Sequence, residues 1–136
     1  MKSFRPVRTA VIGCGMISRR YLDNCVNHFN VLDVVGCSDL IPERSAQRAQ
    51  EFGIRQMTNE EILSDPSIEL VINLTYPTAH YEVTKAALQA GKHVHTEKMM
   101  ATTFAQAKEL YELARANGLY LTAAPDTFLG ARLQTA

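Results

Sequence analysis

Short apolar runs rich in β-branched residues alternate with helical segments along this chain, and the alternation constrains the fold more than any other feature. Predicted strands cover residues 7–12, 31–37, 54–57, 69–75, 92–96 and 119–124. A helix that connects two strands returns the second strand in the same direction, so such strands pair in parallel. The pattern therefore predicts an α/β fold with a doubly wound, mostly parallel sheet.

Residues that favour helix ends stand between the predicted strands. Pro42 and Pro77 suit the first turn of a helix, and Gly53, Gly91 and Gly118 suit the position just after its end. The predicted helices cover residues 16–28, 42–52, 58–64, 77–90 and 102–117. Each predicted helix thus falls between two predicted strands, as the doubly wound arrangement requires.

Length and charge limit the class of protein. A chain of 136 residues suits a single domain, and we expect residues 1–136 to form one. Basic and acidic residues both total 14, so the formal net charge is zero, and nucleic acid is not an expected partner. No apolar stretch is long enough to span a membrane, and the basic start lacks the apolar core of a signal peptide. We therefore expect a cytoplasmic protein.

The cysteines and histidines do not form a metal-binding pattern. Cys14, Cys25 and Cys37 contain no CxxC pair, and we expect all three to be buried packing residues. His93 and His95 alternate along one predicted strand and share a face, but no third ligand stands at a useful spacing. The sequence therefore predicts no metal site.

A glycine-rich turn follows the first strand directly and leads into the first helix. Its residues are Gly13, Cys14, Gly15, Met16 and Ile17. Gly13 suits the tight turn, and Gly15 lets the backbone approach a pyrophosphate, which the helix N-terminus then stabilises. Ser18 replaces the third glycine of the GxGxxG pattern with another small residue. In this position the turn predicts a dinucleotide-binding loop.

An acidic residue ends the second strand, where it bears on the choice of cofactor. Asp39 can accept hydrogen bonds from the adenosine ribose hydroxyls, although it could instead serve only to initiate the turn before Pro42. Arg44 could hold the 2′-phosphate of NADP, but the carboxylate would repel that phosphate. We therefore expect NAD, with NADP as the alternative.

Two further loops follow predicted strands at the same edge of the sheet. One contains Thr75, Tyr76, Pro77 and His80, and the other contains Glu97 and Lys98. Ligands of open parallel sheets bind outside the carboxyl ends of the strands, so we expect both loops to border the cofactor cleft. His80 could point toward that cleft or act as a packing or capping group, and the sequence leaves both interpretations open.

Four segments in order resemble the N-terminal half of the Gfo/Idh/MocA oxidoreductases, which include glucose–fructose oxidoreductase and inositol dehydrogenase. The segments read VIGCGMIS, CSDLIPERSAQRAQEFG, VINLTYPTAHYEVTKAALQAGKHVHTEK and GLYLTAAPDTFLGARLQTA. The resemblance implies a Rossmann domain and a nicotinamide-dependent oxidoreductase that acts on a sugar, cyclitol or related polyol.

The same resemblance implies roles for a short motif after the fifth strand. The family's Glu-Lys-Pro motif falls on Glu97, Lys98 and Met99, so this chain departs from the pattern at the third position. The resemblance implies that the Lys98 ammonium reaches the substrate hydroxyl and that Glu97 lies nearer the cofactor ribose. An ammonium there could favour the alkoxide that forms as hydride leaves. A surface ion pair without catalytic function is the alternative interpretation.

Family members continue into a second domain that supplies the substrate pocket, and we expect this chain to be the cofactor-binding part alone. We predict that it binds a dinucleotide, turns over substrate poorly, and self-associates through an exposed apolar edge. Two other functions stay open: a dinucleotide-sensing module without chemistry, and an α/β domain that serves only assembly. Asp39 at the end of the second strand argues against the assembly domain, in which the glycines would serve only the turn, and the Glu97–Lys98 pair favours the oxidoreductase over the sensor.

Overall fold

A computed structural model describes residues 4–125 of the protein; the last part of the fourth motif, residues 126–136, lies outside the described residues. The strands are β1 (Val7–Ile12), β2 (Leu32–Ser38), β3 (Arg55–Gln56), β4 (Leu70–Asn73), β5 (His93–Thr96) and β6 (Leu121–Ala123). They form one sheet in the order β3-β2-β1-β4-β5-β6, and every neighbouring pair is parallel. The predicted fold class is confirmed.

Helices cover both faces of this sheet. They are α1 (Ser18–Asn27), α2 (Pro42–Phe52), α3 (Asn59–Ser64), α4 (Pro77–Gln89) and α5 (Phe104–Ala116). Residues of α1 and α2 share one apolar cluster with Val11 and Ile72, whereas residues of α3, α4 and α5 share another with Ile12 and Val71. Because side chains alternate between faces along a strand, each central strand contributes to both clusters.

The strands β3, β4, β5 and β6 are shorter than predicted, and for β4 and β6 a hydrogen bond at one end explains why. β4 stops at Asn73 because its Oδ1 accepts hydrogen bonds from the backbone N–H and the hydroxyl of Thr75, and this turns the chain away from the sheet. β6 begins only at Leu121 because the N–H of Leu119 donates to Ala114 and closes the end of α5. The predicted segments were right in type and order, but too long at these ends.

Local capping explains two of the observed boundaries. α3 begins with a capping box in which Thr58 and Glu61 satisfy each other's backbone N–H groups. α2 ends at Gly53, which has a φ of 65° in the left-handed region.

The three cysteines are free and buried, as the sequence analysis expected. Within residues 4–125, the structure contains no helix with the length and apolar character needed to cross a lipid bilayer.

Candidate functional site

The order of the strands places a crevice between β1 and β4. The chain leaves β1 toward β2 but leaves β4 toward β5, so the loops after these two strands separate at the carboxyl edge of the sheet. Hydrogen bonds extend the ladder into the loops: the N–H of Leu74 donates to Ile12 O at 2.8 Å, and the N–H of Gly13 donates to Ser38 O at 2.8 Å. Such a switch point is where open α/β sheets bind their ligands.

Gly13 is confined by the neighbouring loop. Its φ is 102°, and a Cβ atom there would lie 2.5 Å from the carbonyl carbon of Leu74 and 2.6 Å from the nitrogen of Thr75. Both atoms belong to the backbone, so neither could move aside cheaply. The loop after β1 and the loop after β4 therefore meet at a position that only glycine can occupy.

Gly15 faces open space instead. A Cβ atom at this position would have no heavy atom within 4 Å. The backbone N–H groups of Met16 and Ile17 have no acceptor in the described part of the chain, and they stand at the N-terminus of α1. Free N–H groups, the positive end of a helix and an approach without a Cβ fit a dinucleotide pyrophosphate.

The third glycine of the usual pattern is replaced by a residue that fastens the loop. Ser18 is fully buried, and its hydroxyl donates to Gly15 O at 2.6 Å while accepting from Arg48 Nε at 3.1 Å. Arg48 also forms an ion pair with Glu51 at 3.0 Å within α2. Sequence reasoning missed Arg48, since nothing in its local pattern indicates a contact with a residue thirty positions earlier.

Asp39 is half-buried beside the glycine loop. Its Oδ2 accepts a hydrogen bond from the N–H of Cys14 at 2.6 Å, and its Oδ1 accepts one from the N–H of Ile41 at 2.8 Å. The carboxylate thus links the loops after β1 and β2, and it also forms the turn that the sequence analysis gave as the alternative. Arg44 lies in the first turn of α2 and is half-buried, but it is not among the residues that line the pocket beside Asp39.

A buried amide organises the loop after β4. The Nδ2 group of Asn73 donates to His80 O at 3.1 Å and to Thr84 Oγ1 at 3.0 Å, while its Oδ1 accepts from Thr75. The amide thus joins the end of β4 to the turn that follows it and to α4. Sequence analysis assigned Thr75, Tyr76 and Pro77 to the site but missed Asn73 as the residue that holds them in place.

Large apolar side chains stand exposed along the carboxyl edge of the sheet. Met16 is 96% exposed and Leu40 is 90% exposed, although both are apolar. The exposed large apolar residues in the loops after β1, β2, β4 and β5 are Met16, Ile17, Leu40, Ile41, Tyr76 and Met99. Pro77 starts α4 immediately after Tyr76. A concentration of exposed apolar surface in one place indicates a binding site, and flat ring systems suit such a rim.

The loop after β5 is held from the side of α1. Glu97 Oε1 accepts a hydrogen bond from the Tyr21 hydroxyl at 2.5 Å, and its Oε2 accepts one from the N–H of Lys98 at 3.0 Å. Burial, together with the bond to Glu97, raises the pKa of Tyr21, so the phenol stays protonated. Lys98 is exposed, and the peptide bond between Lys98 and Met99 is cis.

The same loop is held from the side of α4. The His80 ring is 1% exposed, with Nδ1 at 2.6 Å from Met99 O and Nε2 at 2.8 Å from Thr75 O. The ring therefore bridges two loops of the protein itself, which matches the packing role that the sequence had left open. Neither Tyr21 nor the Met99 contact had a signal in the sequence, because the partners lie far apart along the chain.

The two histidines of β5 contact neighbouring residues of the sheet. His93 Nδ1 accepts from the N–H of Tyr120 at 3.0 Å, and His95 Nδ1 lies 2.9 Å from Thr122 Oγ1. Burial lowers the pKa of His95, which favours its neutral form. Among residues 4–125, no three His, Cys, Asp or Glu side chains come together to hold a metal ion.

The switch-point crevice, the glycine loop and Asp39 define the class of protein: a dinucleotide-binding domain of the doubly wound type. Residues 7–124 match the sequence profile of the Gfo/Idh/MocA group, described as an oxidoreductase family with an NAD-binding Rossmann fold. The chain belongs to this family.

Individual relatives agree with that assignment. An uncharacterised oxidoreductase of Schizosaccharomyces pombe is 39% identical over 122 residues, covering 86% of this chain and 33% of that protein. A scyllo-inositol 2-dehydrogenase (NADP(+)) of Bacillus subtilis is 34% identical and covers 85% of this chain and 32% of its own length. The chain thus spans about a third of these curated relatives.

A solved structure gives the same result for the fold. Biliverdin reductase from Synechocystis, crystallised with biliverdin and NADP+, superposes with a TM-score of 0.88 at 32% identity. The match covers 96% of this chain and 41% of that one.

Proposed function

We propose that this chain is the cofactor-binding part of an oxidoreductase that moves a hydride between a nicotinamide and a sugar, cyclitol or related polyol. The observation that carries the proposal is the open approach to Gly15 at the switch point, beside the carboxylate of Asp39. Family membership supports the redox chemistry, and a related inositol dehydrogenase supports the polyol class. The bound dinucleotide supplies the hydride acceptor or donor.

The residues of the crevice divide the cofactor between them in this proposal. The backbone of residues 13–17 holds the pyrophosphate, and Asp39 accepts hydrogen bonds from the adenosine ribose. The rim that includes Tyr76 packs against the nicotinamide half, with Glu97 near its ribose. The proposed cofactor contacts are Gly13, Cys14, Gly15, Met16, Ile17, Asp39, Arg44, Thr75, Tyr76, Pro77 and Glu97. His80, the remaining candidate beside the cleft, is not proposed as a cofactor contact, because it is 1% exposed and both of its ring nitrogens face carbonyl oxygens of the protein.

Lys98 is the proposed catalytic residue. Its side chain is exposed at the carboxyl end of β5, on a loop whose backbone is tied down on both sides. An ammonium group beside the reacting carbon can orient the C–O bond and stabilise the alkoxide that develops during hydride transfer. It can also take up or release the hydroxyl proton when its surroundings exclude water.

We propose NAD rather than NADP as the preferred cofactor. The pocket beside Asp39, of about 380 Å³, is also lined by Glu60 and Glu61, so two more carboxylates stand near the position of a 2′-phosphate. Repulsion between these carboxylates and a 2′-phosphate in the same pocket disfavours NADP. NADP in the name of the inositol dehydrogenase and in the biliverdin reductase structure supports the alternative, in which Arg44 holds the 2′-phosphate.

Calorimetric titration of the chain with NADH, and separately with NADPH, tests the proposal. We expect NADH to bind more tightly, and Asp39→Ala to weaken its binding about tenfold or more, the value of a hydrogen bond to a charged group. Asp33→Ala is the matched control, because Asp33 lies near the start of β2, at the end of the strand opposite to Asp39, and pairs there with Arg8. Tighter NADPH binding would assign the deciding role to Arg44, and no binding at millimolar concentration would refute the cofactor site.

A further inference from the structure

We propose that His80 and Tyr21 are positioning residues, which hold the backbone around Lys98 from opposite faces of the sheet and so determine where its ammonium points. Neither residue needs to touch substrate for this role. The inference rests on the proposed function, in which Lys98 is the catalytic residue and Glu97 lies beside the cofactor.

One anchor comes from α4. His80 lies in the first turns of that helix, is buried, and faces Met99 O with Nδ1 at 2.6 Å. Its Nε2 faces Thr75 O at 2.8 Å, so the ring also connects the loop after β4. The backbone of α4 is itself fixed at this point, because Asn73 donates to His80 O. The Met99 carbonyl is therefore tied to a rigid part of the core.

The other anchor comes from α1, on the opposite face of the sheet. The Tyr21 hydroxyl donates to Glu97 Oε1, and the second oxygen of that carboxylate accepts the N–H of Lys98. Glu97 N in turn donates to Asn73 O at 2.9 Å, at the end of the sheet. Tyr21 thus acts on the backbone of Lys98 through one carboxylate.

Tyr21 holds Glu97, directly before Lys98, and His80 holds Met99, directly after it. Fixing the backbone of one residue costs about 1–2 kcal/mol of conformational entropy, so an exposed loop stays ordered only where bonds offset that cost. Catalytic groups need placement within about half an ångström, which an unanchored loop does not provide. His80 is buried, Tyr21 is half-buried, and both hold the short segment 97–99. This arrangement suits a lysine whose ammonium must point in one direction.

The two contacts of His80 can be separated by two substitutions. In His80→Asn the side-chain amide nitrogen stands near the former Nδ1 and can still donate to Met99 O. In His80→Gln the amide nitrogen stands near the former Nε2 and can reach only Thr75 O. If the Met99 contact carries the role, His80→Asn rescues what His80→Gln loses.

The first measurement is backbone ¹⁵N relaxation of the chain, which does not depend on activity. For His80→Gln we expect the order parameters of residues 97–99 to fall from about 0.85 to below about 0.6, with residues 13–17 unchanged. For His80→Asn we expect values near those of the original protein. Loss of core packing alone would lower stability in both variants without this pattern, and equal order in both would refute the role of His80.

Tyr21→Phe tests the second anchor with the loss of a single oxygen atom, so it keeps the proposal testable if both His80 variants fail to fold. We expect lower order at residues 97 and 98, and NADH binding weakened about 3- to 10-fold, which is less than the loss of a direct charge-assisted hydrogen bond because Tyr21 acts on the cofactor only through Glu97. Tyr111→Phe, on the exposed side of α5, is the control and should change neither quantity.

The outcomes separate the two proposals. If the original chain does not bind NADH but the variants loosen residues 97–99, the proposed function fails and the anchoring stands. If NADH binds and the variants change neither the order nor the affinity, the anchoring fails and the proposed function stands.

Discussion

Two loops at the carboxyl edge of the sheet are held in place by opposite means. The glycine loop after β1 depends on what its residues lack, since a Cβ at Gly13 would collide with the backbone of the adjacent loop. The loop after β5 depends on side chains from elsewhere, namely Tyr21 and His80. In the proposed function, backbone groups of the first loop hold a phosphate and the second loop directs the ammonium of Lys98, and the two constructions suit these two proposed roles.

We expect the largest change in the free energy of unfolding at Gly13, in the first of the two loops. Gly13→Ala combines a strained φ with a backbone collision, and we expect the free energy of unfolding to fall by about 3 kcal/mol or more. Gly118→Ala is the control, because that residue also has a positive φ but no atom near the added carbon, and about 1–2 kcal/mol is expected. Urea unfolding followed by circular dichroism measures both; equal losses would mean that the collision relaxes.

The next effect concerns the buried side chain of Asn73, which holds the loop after β4 against α4. Asn73→Ala leaves Thr84, Thr75 and the carbonyl of His80 without their buried partner, and we expect a loss of about 2–3 kcal/mol. The control is Asn117→Ala at the exposed end of α5, for which we expect less than about 1 kcal/mol. If Asn73→Ala costs no more than this control, water replaces the amide and the loop does not depend on it.

A third prediction separates folding from binding within the glycine loop. Gly15→Ala adds a carbon to open space, so the free energy of unfolding should change by less than about 0.5 kcal/mol. The same carbon should obstruct the pyrophosphate, and we expect NADH affinity to fall about tenfold or more. Unchanged affinity would show that the phosphates bind elsewhere. Gly15 would then lack the binding role that distinguishes it from Gly13, which is needed for folding.

The smallest change in stability near neutral pH is expected from Tyr21, which holds the loop after β5. The raised pKa of Tyr21 means that the folded protein favours the protonated phenol more than the unfolded chain does. Its contribution to stability is therefore complete below about pH 10, the ordinary tyrosine value, and is lost as the pH rises through the higher folded-state pKa. When the tyrosinate absorbance of Tyr21→Phe is compared with that of the original protein, the variant should lack a component that titrates above the ordinary tyrosine pKa. If the component that Tyr21→Phe removes titrates at the ordinary tyrosine pKa instead, the buried hydrogen bond to Glu97 is contradicted.

Sequence reasoning succeeded where a structure depends on neighbours in the chain. The first strand was predicted with the bounds observed, Val7–Ile12, because its apolar run ends at a glycine that also starts the loop. The proline at the start of α4 and the glycine after α2 mark local backbone preferences in the same way. The glycine loop was visible for this reason as well.

Sequence reasoning failed where the partners are distant. Arg48 reaches Ser18, Tyr21 reaches Glu97, and no spacing rule connects residues on separate elements before the order of the strands is known. His80 was recognised as a candidate, but its direction depends on the position of Met99 nineteen residues later. What could not be predicted was therefore which side chains meet, rather than which segments fold.

The strand order has a consequence for synthesis on the ribosome. β1 pairs with β2 early, but its other edge waits for β4, which is made only after residues 13–69. At about 5–20 residues per second, that edge stays open for about 3–12 s, with Ala10, Val11 and Ile12 facing solvent or a chaperone. We compare a nascent chain arrested with residue 69 outside the ribosome and one arrested with residue 100 outside it. The first should crosslink to chaperones that bind unfolded chains more strongly than the second.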